Sequence, residues 1–258
     1  MTTLSAKGTI IFGGDFLKSK YLNAVSAVMY FICAVATVCL ILPAFTDFHC
    51  SHSEKFVTGL IIFVLGFTAS RFRCLAPSSE KAVLIMKKTL IWLFAVYIFI
   101  VIDFTLISDS FGRNISNIFM LDSEQLRLYV SQKVNFIPFK TVKLFISAYN
   151  SGVLKPYIVL ENILGNIFVF MPFALFLPIV FTRIDSVVKF LICISVSVVV
   201  IELLQLLFLT GSADIDDFIL NVSGAASAYG ILKIRGVKRA VNTFIFGKKQ
   251  GEDLEGKS

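Results

Sequence analysis

The chain has 258 residues, of which 57% are hydrophobic, 16% are charged and 27 are phenylalanine. Because soluble globular proteins carry roughly 25% charged residues, and because several apolar runs approach membrane-spanning length, this composition excludes a soluble domain and predicts an all-α, polytopic membrane helix bundle. The net charge of +7 is then expected to mark cytoplasmic loops, where basic residues of membrane proteins collect, and not a nucleic-acid partner.

Six apolar stretches are predicted to cross the membrane. The first three belong to an N-terminal extension, 1–107, the other three belong to a core, 108–234, and a polar cytoplasmic tail, 235–258, follows. The second stretch is the shortest, so its sequence leaves open whether it spans the membrane. The predicted spans are 21–42, 56–70, 89–107, 157–180, 187–209 and 217–232.

A long polar segment, 108–156, separates the third span from the fourth. Its sequence predicts short amphipathic helices at the membrane interface, around an extended NFIPF segment. Pro138 disfavours a helical conformation at the preceding Ile137, which predicts a break in the helix there. In the fourth span, Pro172 is predicted to kink the helix.

The distribution of lysine and arginine predicts the topology, with both termini cytoplasmic. The loop from Arg71 to Lys88, the turn near Arg183 and the C-terminal tail then lie inside. The turn 210–216 has no lysine or arginine and faces outside. The 108–156 segment also faces outside despite its basic residues, which we expect to meet lipid phosphates or an anionic substrate.

Polar residues concentrate between Ile201 and Gly224, where two predicted spans meet. Glu202 and Gln205 share a helix face at spacing i, i+3. An ionisable group at the centre of a bilayer costs about 2.5–3.5 kcal/mol on insertion scales, so such residues are expected to be functional. The same segment contains further polar residues: Asp214, Asp216, Asp217 and Asn221.

The polar residues of three predicted helices fall at a similar depth. At ~1.5 Å per residue, Glu202 lies about 10 Å below the outer surface, and Asn166 and Asn221 reach the same level. Asn162 lies one turn higher, near Gln205. We therefore expect an outward-facing polar cleft with Asn166, Glu202 and Asn221 side by side.

Structural roles could also explain several of these residues. Asp214 and Asp217 match the N-cap and N3 positions of a helix, and the small residues at 224–228 and 230 are typical of a close-packing face. Capping leaves Glu202 unexplained, because a carboxyl at that depth must be protonated, paired or hydrated. Hydrogen bonds between helices could account for four amides: Asn162, Asn166, Gln205 and Asn221.

Four sequence blocks occur in a specific order: NFIPFK (135–140), NILGNIFVFMPFALFLP (162–178), IELLQ (201–205) and DIDDFILNVSGAASAYG (214–230). Together they resemble the VanZ-like family of bacterial membrane proteins. The resemblance covers about 108–234 and implies a multi-pass protein of the bacterial plasma membrane. It also implies a role in low-level resistance to teicoplanin-type glycopeptide antibiotics.

The positions that match the family's blocks, together with Asn162, are predicted to form the site. The sequence identifies neither a metal nor a cofactor. We predict catalytic roles for Glu202, Asp214, Asp216 and Asp217, binding roles for Asn135, Pro138, Asn162, Asn166, Gln205 and Asn221, and structural roles for Pro172 and Gly224.

Three functions are compatible with these residues. The first is an envelope-resistance protein that binds or modifies a lipid-linked precursor, or meets the glycopeptide itself, among membrane lipids. The second is a membrane enzyme with Glu202 as acid or base, or with aspartates that hold Mg²⁺ or Ca²⁺. The third is a small transporter, since buried carboxyls can relay protons, although the sequence shows no inverted repeat.

The predicted topology can be tested by cysteine labelling in intact cells. Ser212→Cys should react with an impermeant thiol reagent, because the turn 210–216 is predicted to face outside. Ser79→Cys should react only after the cells are opened. Labelling of Ser79→Cys from outside would contradict the topology.

Overall fold

The computed structural model describes residues 6–44, 46, 50–75, 79–107 and 123–247. This part of the chain is almost wholly helical, which confirms the predicted all-α class. Its helices are α1 (Ala6–Ile41), α2 (His52–Cys74), α3 (Ser79–Ile102), α4 (Ser123–Lys133), α5 (Lys140–Asn150), α6 (Pro156–Val169), α7 (Phe173–Val180), α8 (Val187–Leu207), α9 (Ile215–Lys233) and α10 (Arg235–Phe246). Its strands are β1 (Val134–Asn135) and β2 (Ala213–Asp214), and single turns of 3₁₀ and π helix occupy Leu42–Ala44 and Asp103–Ile107.

Five helical segments in the described part are long and apolar enough to cross a membrane. They correspond to the first five predicted spans, and the short second stretch proves to be a helix of 23 residues. The sixth predicted span, 217–232, corresponds to α9, which is not among these five, so its crossing of the membrane stays a prediction. The acids in its first turn and the small residues in its middle lower its mean hydropathy. The five are Ser19–Ala44, Ser53–Cys74, Lys81–Leu106, Pro156–Val180 and Val187–Leu207.

The basic region predicted as a loop from Arg71 to Lys88 is mostly helical. α2 continues to Cys74 and α3 begins at Ser79, so Lys87 and Lys88 lie on α3. Lysine and arginine tolerate such positions because their aliphatic stems can lie along apolar surface while the charged end reaches water. The positive charge is therefore carried at the C-terminal end of α2 and in the first half of α3.

One compact unit consists of residues 1–98 and 239–258. In it, α1 packs along α2, where the buried Ser26 Oγ donates to the Ala69 carbonyl oxygen at 2.8 Å. The end of α10 also packs on α2. The Phe244 ring stacks on Phe67 with centroids 5.2 Å apart, and Arg71 donates to the Ile245 carbonyl oxygen at 3.2 Å.

The second compact unit covers residues 99–238. Helix α9 lies among α6, α7 and α8 and contacts all three. Its Tyr229 ring stacks on Phe190 of α8, with centroids 4.1 Å apart. The predicted kink at Pro172 is confirmed, because α6 ends at Val169 and α7 begins after Pro172.

The polar segment before α6 contains the predicted short helices, α4 and α5, while residues 108–122 lie outside the described part. The break at Pro138 is confirmed, since α4 ends at Lys133 and α5 begins at Lys140. NFIPF is not extended throughout, however. Asn135 belongs to β1, and Phe139 adopts a left-handed conformation with φ 61°.

The predicted close-packing face of α9 is confirmed at Gly224. A Cβ atom at this position would lie 2.0 Å from the Ile167 carbonyl oxygen of α6. No side chain fits there, so glycine permits the close approach of the two helices. Gly230, on the same helix, is exposed, and a Cβ atom there would meet nothing within 4 Å.

These two glycines provide a matched test of the α6–α9 contact. Alanine favours a helix over glycine by about 1 kcal/mol, so Gly230→Ala should preserve or raise the thermal unfolding midpoint in detergent. Gly224→Ala should lower it, because overpacking costs typically 1–3 kcal/mol. Equal midpoints for the two variants would refute the close approach.

Candidate functional site

The two short strands bring a distant segment to the beginning of α9. β1 and β2 pair in parallel, with Val134 opposite Ala213 and Asn135 opposite Asp214. Close by, the Tyr129 hydroxyl of α4 donates to the Gly211 carbonyl oxygen at 2.6 Å. These bonds hold the α4–α5 segment against the turn between α8 and α9.

Asp214 is a buried carboxylate with donors on both oxygens. Its Oδ1 accepts hydrogen bonds from Asn135 Nδ2 and from the Asp216 backbone N–H, each at 2.9 Å. Its Oδ2 accepts a hydrogen bond from the Thr141 hydroxyl. The predicted N-cap role is confirmed, because the bond to Asp216 satisfies one of the free amides at the start of α9.

Asp216 caps a different helix from the one that carries it. Its carboxylate accepts hydrogen bonds from the backbone N–H groups of Phe139, Thr141 and Val142, the last two at 2.8 and 3.0 Å. The first amides of a helix have no partners within the helix and favour a negative charge. Asp216, only 2% exposed, therefore fixes the N-terminus of α5 onto α9.

Asn135 joins β1 to the turn that precedes α5. Its Oδ1 accepts from the Ile137 backbone N–H at 3.1 Å, and its amide group donates to Asp214. Pro138 lies in this turn and is exposed, as are Phe136 and Ile137. Asn135 thus contacts the acids directly, whereas Pro138 shapes the turn.

Glu202 and Asp217 complete what we call the polar cluster, which consists of Glu202, Asp214, Asp216, Asp217, Asn135, Thr141 and Asn166. Glu202 Oε2 accepts the Asp214 backbone N–H at 3.1 Å. Asp217 Oδ1 accepts a hydrogen bond from Asn166 of α6. The cluster is therefore built from α6, α8, β1, α5 and the beginning of α9.

The expected grouping of Asn166, Glu202 and Asn221 stays a prediction, and no hydrogen bond in the described part of the chain joins these three residues to one another. Within the described residues, Asn166 donates to Asp217 instead of Glu202, and Asn221 is buried with its Oδ1 atom lacking a hydrogen-bond partner. The depth count gave the height of each residue along its helix. It could not give the rotation of the helix about its axis, which decides the partner.

Besides Pro138 and Asn221, the predicted binding residues Asn162 and Gln205 also lie outside the polar cluster. Asn162 is exposed and donates to the Ile158 carbonyl oxygen of its own helix at 2.8 Å. Gln205 Nε2 donates to the Thr105 carbonyl oxygen at 3.3 Å, in the π-helical turn that follows α3. Gln205 therefore joins α8 to that turn.

Sequence reasoning missed Thr141 and Tyr129. Thr141 donates its hydroxyl to Asp214 and its backbone N–H to Asp216. Its position in the first turn of an amphipathic helix, just after Pro138, was the only available signal. Tyr129 carried no signal, because nothing in the sequence pairs it with the turn at Gly211.

The aspartates are not arranged as a metal site. No group of three or more histidine, cysteine, aspartate or glutamate side chains in the described part of the chain is placed to hold a metal ion. Asp216 is directed at backbone amides, and Asp214 at the donors of Asn135 and Thr141. The oxygens of Asp214 and Asp216 are therefore already engaged by donors of the protein itself.

A family model described as VanZ/LLP1 matches residues 94–236, which is more than half of the chain. The chain belongs to the VanZ/LLP1 family. Every residue of the polar cluster lies within the VanZ/LLP1 region, as do Pro172 and Gly224. No curated protein and no solved structure matches the chain.

The four carboxyls of the polar cluster differ in how fully they are hydrogen-bonded. Asp214 and Asp216 each accept three hydrogen bonds. Glu202 and Asp217 each accept one among the described residues. Glu202 and Asp217 therefore retain acceptor capacity for a ligand, whereas the other two acids hold the chain together.

The capping role of Asp216 predicts a local loss of order in Asp216→Asn. Hydrogen bonds to a charged group contribute about 1.5–3 kcal/mol, so the amides of Thr141 and Val142 should exchange hydrogen at least about tenfold faster. Asp185→Asn is the control, because Asp185 is exposed and contacts Lys189 in a surface pair at 2.8 Å. Unchanged exchange at Thr141 and Val142 in Asp216→Asn would show that the carboxylate does not cap α5.

Proposed function

We propose that the chain lowers bacterial susceptibility to teicoplanin-type glycopeptides by acting on a lipid-linked envelope component at the polar cluster. Membership of the VanZ/LLP1 family supports an envelope role. The observation that carries the proposal is the partial hydrogen bonding of Glu202 and Asp217 beside two fully bonded aspartates. Partly buried carboxyls with free acceptor capacity are suited to bind a ligand.

The topology proposed for this function places both termini in the cytoplasm and the polar cluster toward the outer face. α8 ends near the cluster, and α9 then returns toward the cytoplasm beside it. α9 contacts α6, α7 and α8, so protein covers much of its surface. It therefore needs less apolar surface than a helix that faces lipid.

The chemistry of the cluster favours one part of a lipid-linked precursor. Carboxylate oxygens accept hydrogen bonds from hydroxyl and amide groups, which sugars and peptides provide in abundance. They repel phosphate, and the described residues of the cluster include no lysine or arginine. Glu202 and Asp217 would therefore contact the sugar or peptide portion of the precursor.

A second candidate function is acid–base catalysis on the same class of ligand. Glu202 on α8 and Asp217 on α9 bring two carboxyls to one cluster, and a positioned carboxyl can donate or accept a proton. Incubation of purified protein with a lipid-linked precursor, followed by mass spectrometry, separates the two functions. A change in precursor mass indicates catalysis, whereas recovery of unchanged, bound precursor indicates binding.

Resistance assays with isosteric variants test the proposal. Glu202→Gln and Asp217→Asn retain side-chain shape and remove the acid, so each should reach the membrane at the level of the native chain. A sensitive host that carries either variant should tolerate only as much teicoplanin as cells with empty vector. Teicoplanin tolerance and membrane abundance are measured on the same cultures.

Glu161→Gln is the matched control, because Glu161 is an exposed acid on α6, outside the polar cluster. It should keep full resistance. If Glu202→Gln and Asp217→Asn also keep full resistance at normal abundance, the carboxyls are structural and the proposed site is rejected.

A further inference from the structure

A groove of about 560 Å³ lies between α1 and α3 in the compact unit formed by residues 1–98 and 239–258. It precedes residue 94, where the VanZ/LLP1 match begins, and shares no residue with the polar cluster. We call it the basic groove. It is lined by Tyr30, Thr37, Arg73, Lys88, Thr89 and Trp92, with Ala34 and Ile85 completing its walls.

Helical spacing explains how these side chains come together. Tyr30 and Thr37 lie on one face of α1 at i, i+7, and Lys88 and Trp92 lie on one face of α3 at i, i+4. The Tyr30 hydroxyl and the Thr89 hydroxyl share a hydrogen bond of 2.8 Å, which joins the two helices. The groove is thus bounded by α1 and α3, which contact each other through polar atoms, and Arg73 of α2 adds to its lining.

The indole of Trp92 is held against α2. A Cβ atom at Gly66 would lie 2.9 Å from Trp92 Cζ3, so the ring packs directly over this glycine. Trp92 therefore forms a fixed part of the groove wall. It is also the only tryptophan in the chain.

The basic residues of the groove have no acidic partner within the described ranges. Arg73 stands at the C-terminal end of α2 and Lys88 stands in the first half of α3, and both are exposed. Two other cations behave differently: Arg71 donates to the Ile245 carbonyl oxygen, and Lys189 pairs with Asp185. Arg73 and Lys88 thus leave positive charge directed at whatever occupies the groove.

We infer that the basic groove binds an anionic phospholipid. The phosphate would lie between Arg73 and Lys88, because guanidinium groups donate paired hydrogen bonds to phosphate and lysine adds a point charge. Basic pockets between membrane helices bind anionic headgroups in this way. The start of an acyl chain would lie along Trp92 and the aliphatic side chains of the walls.

The shape of the groove favours a lipid over a free phosphate ion. Its volume falls within the roughly 300–1,000 Å³ of small-molecule sites, which is larger than one phosphate group needs. Apolar side chains and the indole continue the wall beyond the two cations. A ligand that carries a phosphate and an apolar chain satisfies both parts of the lining.

Fluorescence quenching of Trp92 tests this site directly. The full-length chain is placed in nanodiscs of unlabelled phosphatidylcholine with a small fraction of phosphatidylglycerol brominated on its acyl chains. Brominated phosphatidylcholine at the same fraction is the lipid control. Each basic residue near an anionic headgroup raises the affinity for that headgroup about fivefold. We therefore expect brominated phosphatidylglycerol to quench Trp92 at a concentration on the order of tenfold lower than brominated phosphatidylcholine requires.

Two double variants with the same change of charge distinguish a groove from a general basic surface. Arg73→Gln with Lys88→Gln should abolish the difference between the two lipids. Lys81→Gln with Lys87→Gln should preserve it, because these lysines do not line the groove. Neither double variant alters the polar cluster, so teicoplanin tolerance is a separate readout.

Three results would overturn the inference. Equal quenching by the two brominated lipids in the native chain would exclude a preference for anionic phospholipid. Loss of the preference in both double variants would show that only the net charge of this surface matters. Reversal of the preferential quenching by millimolar inorganic phosphate would show that the groove takes a phosphate ion without a lipid chain.

Discussion

The core of the protein depends on the hydrogen bonds made by two aspartates at the start of α9. Asp214 and Asp216 accept hydrogen bonds from β1, from α5 and from the first turn of α9 itself. Both carboxylates are buried, where hydrogen bonds to a charged group are stronger and an unsatisfied one is costly. The α4–α5 segment is therefore tied to α9 by hydrogen bonds to two buried carboxylates.

This arrangement separates two uses of the same residue type. Asp214 and Asp216 have donors on both oxygens, so their charge stabilises the fold. Glu202 and Asp217 accept fewer bonds, and they are the acids through which the cluster could meet a ligand. Some carboxyls of the polar cluster therefore stabilise the fold. The number of hydrogen bonds that each carboxyl accepts distinguishes these acids from the ones that are free to bind a ligand.

Packing of small residues positions the functional part of the cluster. Because Gly224 has no side chain, α6 approaches α9 closely at Ile167. That approach places Asn166, the preceding residue on α6, within hydrogen-bonding distance of Asp217. A residue without any polar atom of its own therefore helps to determine the environment of a buried acid.

The sequence alone determined the features that follow from local rules. Apolar runs predicted the helical class and five helices long and apolar enough to cross a membrane. Proline rules predicted the break at Pro138 and the division of the fourth predicted span, and capping preference identified Asp214. Only the tertiary structure decided which helix Asp216 caps, which amide meets Asp217, and that Gln205 bonds outside the cluster. Helical periodicity fixes which residues share one face of a helix. Which faces of different helices contact each other depends on packing between residues far apart in the chain, such as Asp216 and Val142, which are more than 70 residues apart.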